Sequence, residues 1–304
     1  MNGRVTTLTS SRRTITNAIA VFGGEAFLRL ATLAMALIVA RRFGPEALGQ
    51  YGYAVAFASV LLLVPDFGLH LLTTRELAAN PRELRPLFWN LHWLKVLLVA
   101  GAAIFTLLFG ELVVRDGGRR TLLYILVARA LLQTFSLAYL AVFKAFEQMH
   151  HIALVQFASA TLVVAGAALA LELRLGLTMV VAAFLVGQAA EVWLARRILQ
   201  RRFPPGNPVG WDGEVLRHLI LAAAPTGLTS ILQATNLRLD LLVLSIFVPN
   251  QELGRFQAAT WFMVGTFLVA SLLMTVLFPR LSRLLRNPWG KAAAFVEGSS
   301  RMSC

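Results

Sequence analysis

Charge is scarce in this chain: Asp, Glu, Lys and Arg together supply 14% of its 304 residues, against about a quarter in a soluble domain. That shortage excludes an ordinary globular core in water. Cysteine is nearly missing, with Cys304 at the last position as the single example. Neither a disulfide framework nor a thiolate metal site can be built from it. The histidines are His70, His92, His150, His151 and His218. His150 and His151 are adjacent rather than i,i+4 and have no carboxylate-rich loop beside them. They read as interfacial residues at the head of a helix, not as metal ligands. A Walker-type loop is also missing, which excludes nucleotide hydrolysis by the chain itself. Long polar loops are lacking too, so an integral-membrane glycosyltransferase or polymerase would have little on which to build an active site. Neither an enzyme nor a cofactor is expected.

What is present is apolar sequence, 58% of the residues, gathered in blocks of the roughly 20 residues that cross a hydrocarbon layer as a helix. Such segments must satisfy their own backbone hydrogen bonds, so they are helices. The short alternating strands of a membrane barrel are not visible. The fold class is all-α, a polytopic integral membrane protein with about eight spans, placed near 16–40, 51–72, 87–110, 121–143, 152–171, 175–195, 218–248 and 256–279. The seventh is too long for one straight span, and a break near residues 235–240 is expected. Residues 1–15, with Arg4, Arg12 and Arg13, lead into an apolar block that is too long for a signal peptide, so it is read as an uncleaved first span. The formal net charge is +13. With the N-terminus in the cytoplasm, more than half of the 28 Lys and Arg fall on cytoplasmic segments. The positive-inside rule accounts for that excess, and no nucleic-acid partner is implied.

The longest linker, residues 196–217, carries Arg196, Arg197, Arg201 and Arg202 and then Pro204-Pro205-Gly206-Asn207-Pro208. A helix does not pass such a Pro pair easily, and the arginines suit an anionic lipid surface. After the linker the start of the chain is echoed. Phe43-Gly44-Pro45-Glu46-Ala47-Leu48-Gly49-Gln50-Tyr51 matches Phe247-Val248-Pro249-Asn250-Gln251-Glu252-Leu253-Gly254-Arg255-Phe256 with one inserted residue. In both copies an apolar span precedes the motif and another follows it. A repeat unit of six spans gives two lobes that enter the membrane from the same side, with a path between them. The organisation expected is therefore a six-helix lobe at 1–205 and an incomplete second lobe at 206–304, holding two spans and a cytoplasmic tail. The chain is read as truncated at its C-terminal end.

The run Ala40-Arg41-Arg42-Phe43-Gly44-Pro45-Glu46-Ala47-Leu48-Gly49-Gln50-Tyr51 resembles the first outer loop of polysaccharide-unit flippases. Asp66-Phe67-Gly68-Leu69 and Thr74-Arg75-Glu76-Leu77-Ala78 resemble the end of their second span. Leu237-Arg238-Leu239-Asp240 and Phe278-Pro279-Arg280-Leu281-Ser282-Arg283-Leu284 resemble their seventh and eighth spans. The family is the oligosaccharide (O-antigen-type) flippase branch of the multidrug, oligosaccharidyl-lipid and polysaccharide exporter superfamily. The chain departs from its pattern at Val248, where Gly is expected before Pro249. The resemblance implies a transporter of the bacterial cytoplasmic membrane that moves undecaprenyl-diphosphate-linked oligosaccharide repeat units for cell-surface polysaccharide synthesis. It implies alternating access between two lobes, with a coupling cation, proton or sodium, as a further partner. A lipid II flippase and a multidrug exporter of the same superfamily are the alternative readings. The basic residues within the spans argue against the second.

An ionisable side chain inside a span costs about 2.5–3.5 kcal/mol on insertion scales, so each needs a partner or a watery cavity. Glu25 and Arg29 are i,i+4 on the first helix and can share one face. They read either as part of a substrate cavity or as a self-contained structural pair. Lys95 in the third span either lines the cavity or snorkels to the headgroups, and Arg129 in the fourth has the same two readings. Arg238 and Asp240 are two apart and do not share a helix face, which a local break would explain. Asp66, after Pro65, ends its helix or serves in gating. The expected substrate-binding set is Arg29, Glu25, Arg129, Arg238 and Lys95, with Asp66 and Asp240 in coupling or gating. Arg suits a diphosphate because it matches phosphate in a bidentate way.

Overall fold

The computed structural model describes residues 3–113, 117–207 and 210–261, with side chains over 34–110, 118–207, 210–232 and 238–261. Among the described residues every regular element is helical: α1 (Gly3–Asp66), α2 (Leu69–Ala79), a 3-10 turn (Pro81–Glu83), α3 (Leu84–Val113), α4 (Gly117–Ala145), α5 (Met149–Glu172), α6 (Leu177–Arg202) and α7 (Gly213–Phe247). Among the described residues six stretches are long and apolar enough to cross a membrane: Ala34–Ala79, Pro81–Gly110, Gly118–Ala145, Met149–Glu172, Leu177–Arg202 and Gly213–Leu232. The chain is a polytopic α-helical membrane protein. Most of the eighth expected span, 256–279, lies outside the described residues. The chain divides into two compact units, Met1–Arg255 and Phe256–Cys304, and α1 to α7 belong to the first.

Two breaks shape the start of the bundle. Gly44 takes φ 80° and ψ 178° inside α1, a conformation that side chains bar and glycine permits. Pro45 follows it in the first turn of the next arm, where a missing N–H costs nothing. The arms run over 3–43 and 45–66. Phe67 and Gly68 then adopt φ 35° and 70°, and left-handed residues cannot continue a right-handed helix. The helix of the second expected span, 51–72, is therefore interrupted after Asp66, and α2 is a separate helix. A third break, expected near 235–240, does not occur. The helix α7 is continuous from Gly213 to Phe247 across 35 residues, about 50 Å at 1.5 Å per residue. One unbroken helix carries the excess over the roughly 30 Å hydrocarbon layer. Its N-terminus is capped by Asp212, whose Oδ1 accepts from the backbone N–H of Glu214 at 2.9 Å and Val215 at 3.4 Å.

Inside the first unit the apolar side chains form two separate cores. One holds Met35, Val39, Leu48 and Tyr51 of α1 with Leu122, Leu126, Val163 and Val181 from α4, α5 and α6. The other holds Leu69, Leu72 and Leu77 of α2 with Leu91, Val142, Phe143, Val155 and Leu199. The helices α4, α5 and α6 each cross from one core to the other through polar residues. On α4 these are Gln133, Thr134 and Ser136, on α5 Gln156 and Ser159, and on α6 Gln188 and Glu191. Around the outside Leu97, Leu107 and Leu108 of α3, Phe157 of α5 and Trp193 of α6 are exposed, as lipid-facing helices require. A polar layer thus lies about midway along the helices, between two apolar cores.

The two copies of the sequence repeat meet directly. A Cβ added at Gly49 would lie 2.0 Å from the carbonyl O of Asn250, and one at Gly254 would lie 1.8 Å from the carbonyl O of Pro45. Gly49 and Gly254 are the matching positions of the repeat, and neither has room for a side chain. Leu48 and Leu253, their neighbours, are buried at 2% and 0% exposure. The contact joins the start of the second arm of α1 to the helical stretch, 250–261, that follows α7.

Candidate functional site

The polar layer holds the charged groups that the spans carry. Arg129 lies on α4 and Arg238 on α7, helices that are far apart in sequence. Both act electrostatically on Tyr51, which the second arm of α1 buries at 3% exposure. The guanidinium of Arg129 stands 5.8 Å from the ring centroid of Phe184 on α6, and that ring is 6.3 Å from Tyr51. Arg129 therefore sits in an aromatic neighbourhood against α1, and the charge of Arg238 on α7 reaches the same Tyr51. Arg129 makes no ion pair within 4 Å among the described residues.

Lys95 belongs to a different centre, and it does not snorkel. Its side chain is fully buried, with Nζ donating to Asp66 Oδ1 at 2.9 Å and to the carbonyl O of Thr134 at 3.1 Å. The other carboxylate oxygen of Asp66 meets His70 Nδ1 at 2.5 Å. The arrangement follows from the break at Phe67–Gly68, which sets His70 one turn beyond Asp66 on α2. A buried ammonium held by a carboxylate and a carbonyl has two of its three protons satisfied. This centre fastens α1, α2, α3 and α4 together near the second core. Asp66 both ends its helix, as the bland reading has it, and is 7% exposed.

The remaining expected residues divide. The side chains of Glu25 and Arg29 lie outside the described residues, although the helix that carries them runs through. Asp240 is exposed and its Oδ1 accepts from the N–H of Leu241 at 2.7 Å. It also acts on Arg238, which sits two positions earlier on the same unbroken helix. Among the described residues no three His, Cys, Asp or Glu come close enough to hold a metal ion.

Sequence reasoning missed an acid. Glu191 on α6 is 9% exposed. Its carboxylate has Ser136, Ser159 and Gln188 as polar neighbours and feels the charge of Arg129. Gln188 and Glu191 are one turn apart on α6, and Gln133 and Ser136 have the same spacing on α4. That signal was available, since a carboxylate within a span is as telling as a cation there.

The arrangement is that of a membrane protein with ionisable groups held inside a helical bundle and no metal-ligand set among the described residues. That suits translocation of a charged cargo. Comparison with curated proteins and with solved structures gives no match. Residues 14–285 match the family described as polysaccharide biosynthesis protein. The chain belongs to that family, and it is a multi-pass membrane transporter of the flippase type serving polysaccharide biosynthesis.

Proposed function

We propose that the chain moves undecaprenyl-diphosphate-linked oligosaccharide units from the inner to the outer leaflet of a bacterial cytoplasmic membrane. Its N-terminus is on the cytoplasmic side, and two lobes work by alternating access. The observation that supports this reading is that two cations held within the spans, Arg129 of α4 and Arg238 of α7, both bring their charge to bear on buried Tyr51. A diphosphate is the part of such a lipid that cannot cross hydrocarbon unaided. Guanidinium groups replace its lost hydration through charge-assisted hydrogen bonds. Arg29 belongs to the same set, with Glu25 as its resting counter-ion. Lys95 and Asp66, already paired to each other, anchor the helices around the path, and Asp240 acts through Arg238.

The test uses proteoliposomes carrying a fluorescent prenyl-diphosphate disaccharide, with a membrane-impermeant quencher added outside. Wild-type protein should speed the loss of protection of inner-leaflet probe. Arg129→Gln and Arg238→Gln should each slow it about 10- to 100-fold, the worth of one charge-assisted hydrogen bond. Equal rates for the variants and wild type would end the reading. So would equal rates for the diphosphate and for an ordinary glycerophospholipid probe.

A further inference from the structure

The first turn of α5 and the last turn of α6 meet at one end of the bundle, where one candidate span begins at Met149 and another stops at Arg202. The 26 residues of α6 measure about 39 Å, so its last turn reaches past a hydrocarbon layer of roughly 30 Å to headgroup depth. Two hollows open there side by side. One, of about 310 Å³, is lined by Gln148, His150, His151 and Arg202. The other, of about 440 Å³, is walled by Leu154 and Ile198 and edged by Arg201. His151 and Arg202 line both, and no carboxylate lines either. Arg201 and Arg202 are exposed and make no ion pair within 4 Å among the described residues. Basic residues in a last turn suit the helix dipole anywhere on its circumference, but both of these line the side toward α5. No side chain caps the α5 N-terminus, the positive end of its dipole. The Nδ1 of His151 is buried and has no hydrogen-bond partner. The surroundings are packed. Phe203 stacks on Phe146 at 4.6 Å and lies 6.4 Å from Phe143, whose ring is 5.6 Å from that of His151. Aromatic rings thus fasten the end of α6 to the start of α5 and fix the shape of the hollows.

We propose that the paired hollows bind one anionic glycerophospholipid of the surrounding membrane. Its phosphate takes the polar hollow, between Arg202, His151 and the open first turn of α5. One acyl chain takes the other, along Leu154 and Ile198. The two-part form selects a lipid, since a free phosphate would fill the first hollow and leave the apolar one bare. Charge then selects among lipids. Arg meets phosphate with paired, charge-assisted hydrogen bonds, and two guanidinium groups repel the ammonium of a zwitterionic headgroup. Leu154 is 53% exposed, so a chain from the bilayer reaches it without any helix moving. Occupied, the site ties α6 to the membrane surface just before the chain turns at Pro204-Pro205. The site stands at the helix ends, apart from Arg129 and Arg238, and does not rest on the transport reading.

The test is native mass spectrometry of the delipidated full chain in detergent, titrated with phosphatidylglycerol and with phosphatidylethanolamine of the same acyl chains. Wild type should retain one phosphatidylglycerol in preference to phosphatidylethanolamine. Arg202→Gln should weaken that retention about 10- to 100-fold, the worth of one charge-assisted hydrogen bond, and Arg201→Gln with Arg202→Gln should abolish the preference. Both arginines are exposed, so their loss spares the fold. Leu154→Ser should weaken binding severalfold through the acyl chain alone. Arg41→Gln with Arg42→Gln removes the same charge from exposed positions of α1 and should change nothing. An equal loss in that control would reduce the effect to general attraction by a basic surface and overturn the site. Equal retention of the two lipids by the wild type would do the same. Displacement of phosphatidylglycerol by millimolar inorganic phosphate, with Leu154→Ser silent, would make it a plain anion site and refute the lipid. Preferential capture of geranylgeranyl diphosphate, lost in the double arginine variant, would make it a docking point for prenyl diphosphates and also refute it.

Discussion

Adding one methyl group at Gly49 or Gly254 should open the contact between the two copies of the repeat. The alanine Cβ would stand 1.8–2.0 Å from a backbone carbonyl oxygen on the other copy. An ordinary carbon–oxygen contact is about 3.3 Å, so the backbones must part by roughly 1.4 Å. No rotamer relieves this, because the obstacle is backbone on both sides. Overpacking of this kind costs about 1–3 kcal/mol, or about 5- to 150-fold in the population of the closed contact. Helix propensity works the other way for Gly49, since alanine is favoured over glycine by about 1 kcal/mol inside a helix. A net loss of closure would therefore come from the contact and not from the helix. The assay is maleimide labelling of Leu253→Cys in a Cys304→Ser background, in detergent. Leu253 is 0% exposed beside Gly254, so labelling is slow while the contact holds. Gly49→Ala should raise the rate within the range above, with unchanged helical circular dichroism. An unchanged labelling rate would refute the steric argument.

Three further outcomes follow from the packing. Lys95→Met leaves the Asp66 carboxylate buried without its main partner, which typically costs 3–5 kcal/mol, whereas Lys95→Met with Asp66→Asn should recover much of it; thermal melting of both decides, and a single variant as stable as wild type contradicts the burial. At Gly187 an added Cβ would sit 2.4 Å from Val163 Cγ2 and 3.0 Å from the carbonyl O of Ser159, so Gly187→Val should cost about 1–3 kcal/mol by wedging α5 from α6. Gly101 on α3 has nothing within 4 Å of its added Cβ, and Gly101→Ala should be neutral or stabilising by up to about 1 kcal/mol; a loss comparable to that of Gly187→Val would mean that the local geometry is wrong.

The helices and their class were legible because a span is a local property: length and apolar content suffice. The turn at Gly44-Pro45 was legible for the same reason, and so was the repeat that pairs Gly49 with Gly254. That those glycines touch was not, since contact between distant segments leaves no mark in either one. Arg129 and Arg238 stood out as cations within spans, but that the charge of both reaches Tyr51 depends on how α4 and α7 pack on α1. Lys95 illustrates a different limit. Its long stem permits both snorkelling and burial, and the choice is made by Asp66, 29 residues earlier. The break expected in α7 rested on length alone, and an unbroken helix absorbs that length. Glu191 carries a one-turn spacing from Gln188 in the sequence, but its burial at 9% depends on how α6 packs on α4 and α5.

The Lys95–Asp66 pair also bears on how the protein is made. A lysine entering the bilayer alone meets an insertion penalty of about 2.5–3.5 kcal/mol. Asp66 precedes Lys95 by 29 residues, so the ribosome delivers the anion first, and α1 and α2 are in place when α3 enters. The cation arrives to find its counter-charge waiting, and its partner Thr134, on the following helix, closes over it afterwards. The order of synthesis and the order of neutralisation are the same. Exchanging the two residues would keep the pair in the finished fold yet send the lysine into the membrane first and unaccompanied.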